Sequence, residues 1–134
     1  MLNELAARCD VIEECYEFML GFAAQGVGSE EAGQKSGMIR DQLGRASTAL
    51  TGIGFAFQAT VEDDSQPYQA FCKVLERDAG DTLAAIQMVL AQPSISSQLI
   101  DNLNASIHLR ALLTDLFLVD EILKLRDKVS EEVR

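Results

Sequence analysis

The chain has 134 residues, enough for one domain that buries a single core without disulfide or metal staples. Apolar residues make up 48% of it, which excludes a chain disordered by composition. Acidic residues outnumber basic ones 21 to 11, for a formal charge of −10. Nucleic-acid backbones and anionic membrane surfaces repel such a chain, so basic or apolar proteins are the expected partners.

The first helix is predicted from about residue 3 to 25, with Asn3 as N-cap and Glu4 in its first turn. Leu5, Cys9, Ile12, Tyr16, Met19 and Ala23 recur at helical spacing and form its apolar stripe. Asp10, Glu13, Glu14 and Glu17 form an acidic face opposite, read as a solvated surface. The turn Gly26-Val27-Gly28 ends this helix.

A second helix is predicted to begin at Ser29, followed by Glu30 and Glu31. Its stripe is Ile39, Leu43, Ala46, Leu50, Ile53 and Phe57, at the alternating steps of four and three that suit antiparallel bundle packing. It is rich in glycine, which predicts close approach of a neighbour at Gly33, Gly37 and Gly44, or a frayed first turn, and a kink near Gly52 and Gly54. The alternation from Ile53 to Phe57 is not read as a strand, because no second strand is on offer to pair with it.

The acidic stretch 62–67 is a loop ending in Pro67, which suits the first helical position. The third helix runs from 67 to about 91, with Phe71, Cys72, Leu75, Ala79, Leu83, Ile86 and Leu90 inward. Pro93 ends it. The fourth is predicted as one long helix from Ser94 or Ser96 to about Lys128, and it carries two apolar stripes where one would serve a core. One holds Ile100, Leu103, Ile107, Ala111, Leu118, Ile122, Leu125 and Val129. The other holds Leu109, Leu112, Leu113, Leu116, Phe117, Val119 and Leu123. The expected fold is therefore all-α: an antiparallel up-down-up-down four-helix bundle with a long C-terminal helix, in a single domain spanning 1–134.

A di-iron carboxylate bundle needs two Glu-x-x-His pairs, and the chain has one histidine, His108, without that partner. His108 with Met19, Met38 or Met88 is a candidate haem ligand pair, although Cys-x-x-Cys-His is missing. Cys9, Cys15 and Cys72 lie on or beside apolar stripes, where cysteine behaves as a small apolar residue. Their odd number points to free thiols in a reducing compartment. Gly52-Ile53-Gly54 lacks the lysine and the preceding strand of a phosphate loop. Phe18 and Phe55 fall off the main stripes and are the aromatics expected to reach solvent.

The functional expectation rests on the doubled stripe. The row Leu109, Leu112, Leu116, Val119 and Leu123 is expected to meet a partner, most simply a second copy of the chain. Its alternative is an internal one, with the C-terminal helix covered on both sides by the other helices. The chain is thus read as a non-enzymatic, cytoplasmic interaction protein: an adaptor, assembly factor or chaperone, with no resident cofactor or metal. The alternative is a bundle that binds haem or a small apolar ligand between its helices.

Overall fold

A computed structural model of the chain describes residues 4–26 and 33–133, with side chains over 4–26 and 37–129. The described residues are helical and contain no strand; they form α1 (Glu4–Ala24), α2 (Gly33–Leu50), α3 (Ile53–Val61), α4 (Gln66–Leu90), α5 (Ser97–Ala105) and α6 (Ile107–Val133). The predicted N-cap Asn3, the remainder of the Gly26-Val27-Gly28 turn and the predicted start at Ser29 lie outside the described residues. None of the described helices is long and apolar enough to cross a membrane.

Two predicted helices are each broken in two. The first break falls at Gly52, whose φ of 76° is the left-handed conformation that glycine adopts without penalty. Burial continues in phase across it: Ile39, Leu43, Ala46, Leu50, Ile53 and Phe57 are all buried. The second break corrects the single helix predicted from Ser94 onward. Ser106 stands in extended backbone, φ −65° and ψ 143°, between α5 and α6. Its hydroxyl accepts the Leu109 N–H at 3.3 Å, so the same residue ends one helix and caps the next. Ser96 caps α5 likewise, accepting from the Leu99 N–H at 3.2 Å.

The break sends the two pieces to different neighbours: α5 packs on α1, and α6 packs on α4. Pairwise contacts fix the directions. Arg45 meets Glu14 at 3.5 Å and Arg8 reaches the Ala49 carbonyl at 3.0 Å, so α1 and α2 run antiparallel. Arg40 reaches the Leu90 carbonyl at 2.9 Å, setting α2 against the far end of α4. Thr82 meets the His108 carbonyl at 2.9 Å near the start of α6, while Tyr68 meets Arg126 at 3.3 Å near its end, so α4 and α6 are also antiparallel.

None of the described helices carries a basic residue in its last turn. The terminal carbonyls still need donors; backbone N–H groups of the following turn supply some, and others arrive from other helices. The Ser97 hydroxyl donates to the Phe22 carbonyl of α1 at 2.7 Å. Arg8 serves the end of α2 through Ala49 and Thr51. Arg126 donates to the Val61 carbonyl of α3 at 2.7 Å, and Arg40 serves α4 and the turn after it through Leu90 and Gln92. Three of the few cations in this acidic chain are spent as caps on their neighbours, where the helix dipole favours positive charge.

The close backbone approach predicted along helix 2 occurs at Gly54 and not at Gly37 or Gly44, which face open space. The Gly54 N–H donates to a Glu76 carboxylate oxygen, and the Gly54 carbonyl accepts from the Cys72 thiol at 3.1 Å. A Cβ at Gly54 would stand 2.8 Å from the Cys72 carbonyl oxygen. Gly54→Ala is therefore expected to cost about 1–3 kcal/mol of stability through overpacking. Gly44→Ala should stabilise by roughly 0.5–1 kcal/mol through helix propensity. Urea unfolding of both variants checks the pair, and equal effects at the two positions would refute the close packing of α3 on α4.

Candidate functional site

The row expected to face a partner faces inward. Leu109, Leu112, Leu116 and Val119 are buried in the core and Leu123 is half-buried against it. Their period of three and four continues without a polar interruption, and α6 lays them against α4 and α5. The expectation that this row is free for docking is corrected: it closes the chain's own core.

The other stripe is the one left outside. Leu118, Leu125 and Val129 are 49%, 55% and 57% exposed, and Ile122 between them is half-buried. By helical geometry the centres of the two stripes lie about 130° apart around α6. Ile107 and Phe117 are exposed further along the same helix.

Ile122, Leu125 and Val129 also form one wall of an open groove of about 1140 Å³. Ala56, Ala59 and Thr60 of α3 line the groove with small side chains, and Glu4, Glu62 and Asp127 bring acidic groups to it. The groove persists because the end of α6 is clasped to the α3–α4 corner. Arg126 caps Val61 and sits 5.3 Å from the centre of the Tyr68 ring, a cation–π distance. It also lies 3.6 Å from Asp63. The Asp63 carboxyl is held below the usual range, first by its hydrogen bonds with Ser65 and then by Arg126.

The remaining sequence candidates are scattered. His108 is exposed at the start of α6. Its carbonyl lies beside Thr82, about 15 Å along α4 from Cys72 at 1.5 Å per residue, so the two do not pair. Met19 is buried in the core, whereas Met38 and Met88 are exposed on α2 and α4. Asp10, Glu13, Glu14 and Glu17 are exposed on α1, and Glu14 is paired with Arg45. Phe55 is 69% exposed, while Phe18 is half-buried. Burial pushes the Cys9 thiol up to about 11, assisted by Glu13, and the Cys15 thiol up to about 12, assisted by Glu14. Burial and then Glu76 raise the Cys72 thiol as well. All three are protonated at neutral pH and are poor nucleophiles in that form. Among the described residues, no group of three or more His, Cys, Asp or Glu is placed to hold a metal ion.

One polar arrangement was not visible in the sequence. Asp115 of α6 meets Asp78 of α4, and burial, then the hydrogen bond and charge of Asp78, push the Asp115 carboxyl up to about 7. The shielded Asp115 Oδ2 has no hydrogen-bond partner among the described residues. Neither aspartate lines the groove. Comparison with protein-family models, with curated proteins and with solved structures finds no match to this chain.

The carboxyl pair has a consequence for stability. An unfolded aspartate releases its proton near pH 4, whereas folded Asp115 holds its proton to about 7. Across that window the folded state binds more protons, so stability falls as pH rises from about 4 to about 7. Asp115→Asn, which keeps a donor toward Asp78 and removes the second charge, should flatten this dependence. Melting temperatures of both proteins over pH 4–8 check it; parallel curves would refute the raised Asp115 carboxyl.

Proposed function

We propose that this chain acts by protein–protein interaction, as an adaptor, assembly factor or chaperone, and that it forms a homodimer through its C-terminal helix. One observation carries the reading. Leu118, Ile122, Leu125 and Val129 recur at steps of four, three and four on the outside of α6, beside a groove whose opposite wall is small enough to admit another helix. Helix-in-groove recognition uses such a row of anchors. Contiguous exposed apolar residues on a soluble surface mark interfaces more often than chance scatter does. The charge of −10 supports a protein partner over a nucleic acid.

The same reading counts α2 with α3, and α5 with α6, as two interrupted legs. With α1 and α4 they make the four legs of an up-down-up-down bundle, and among the described residues the outer stripe of the last leg is left largely exposed.

Leu125→Glu tests the interface and Leu116→Glu serves as its contrast. In size-exclusion chromatography with light scattering at tens of micromolar, the unaltered chain should run as a dimer and Leu125→Glu as a folded monomer. Leu116→Glu places a carboxylate in the core and should instead cost about 4 kcal/mol or more of stability. A monomeric unaltered chain, or a Leu125→Glu variant that stays dimeric, counts against the proposal.

A further inference from the structure

Resting on that reading of the outer face of α6, we propose that its occupant is the α6 of a second copy laid antiparallel, with Leu118 opposite Val129 of the second copy and Ile122 opposite its Leu125. The apolar part of the stripe, Leu118 to Val129, spans about 17 Å of helix at 1.5 Å per residue. Read in the reverse direction it meets itself in four layers, which is the self-complementarity that a two-fold interface requires.

The flanking charges decide the direction. Glu121 and Lys128 are exposed along one edge of the stripe, each one residue ahead of a layer residue, Ile122 and Val129. Neither makes an ion pair with another residue whose side chain is described, whereas Lys124 is already held by Asp120 at 3.0 Å. In the antiparallel register Glu121 of each copy comes opposite Lys128 of the other, so two opposite-charge pairs close one edge of the contact. A parallel register would bring Glu121 opposite Arg126, which is engaged with Val61, Tyr68 and Asp63 of its own chain. The antiparallel arrangement therefore offers attraction that the parallel one does not. It also seats the second helix against Ala59 and Thr60, whose small side chains suit the 8–10 Å typical between packed helix axes.

Charge reversal tests this on the full chain. Dimer dissociation constants from sedimentation equilibrium are compared for the unaltered chain, Glu121→Lys, Lys128→Glu and the double reversal. Each single reversal turns two attractive pairs repulsive and should weaken the dimer about tenfold. The double reversal restores opposite charges and should return to within about threefold of the unaltered chain. Glu121→Lys is the sharper single test, because it lowers the net negative charge and would tighten a dimer limited only by general repulsion. Tightening by Glu121→Lys, or a double reversal as weak as either single one, overturns the antiparallel register while leaving a Leu125-dependent dimer standing. A chain that is monomeric throughout, whatever stands at residue 125, overturns the wider reading as well.

Discussion

A helix that ends inside a packed molecule leaves carbonyl oxygens that water cannot reach, and they must be given donors. Here several of the donors come from across the fold. Arg126 is the most consequential of them, because it ties α6 to the corner where α3 turns into α4. With its guanidinium on Val61 and against the Tyr68 ring, the C-terminal half of α6 cannot roll about its own axis. The inner row of leucines supplies most of the adhesion, at roughly 1.5–3 kcal/mol for each fully buried side chain. The arginine fixes orientation. Together they determine which apolar stripe is covered.

The break at Ser106 acts on the same choice from the other end. An unbroken helix would have carried Ile100, Leu103, Ile107 and Leu118 in one continuous line. The extended residue interrupts that line, so Ile100 and Leu103 are buried while Ile107 and Leu118 lie outside. Thr82 stabilises the junction. Its hydroxyl is 2.8 Å from the Asp78 carbonyl and 2.9 Å from the His108 carbonyl, which keeps a fully buried polar side chain satisfied where α4 meets the first turn of α6.

Much of the helical pattern was legible from spacing. The stripe from Ile39 to Phe57 survives the kink at Gly52 because the turn preserves its phase, and Pro67 and Pro93 bracket α4 as their missing N–H groups require. In α1 the buried line is rotated toward Cys15 and Phe22, leaving Tyr16 and Ala23 at its edge. The break at Ser106 was not legible: serine serves a helix interior or a cap, and only the docking of α5 on α1 selects between them. The doubled stripe was visible, but its inside and outside were exchanged. A clue lay in the sequence, since Thr114 and Asp115 interrupt the outer line whereas the row from Leu109 to Leu123 runs on without a polar residue. The Asp78–Asp115 contact joins residues distant in the chain and has no local signature.

The central claim is that α6 has one face spent on its own core and another reserved for association. Methyl NMR over a dilution series reads both faces in one experiment. The account predicts concentration-dependent shifts at Leu118, Ile122, Leu125 and Val129, extending to Ala59 and Thr60, with Leu109, Leu112, Leu116 and Val119 unchanged. Shifts centred on the inner row, with the outer stripe unaffected, would contradict it.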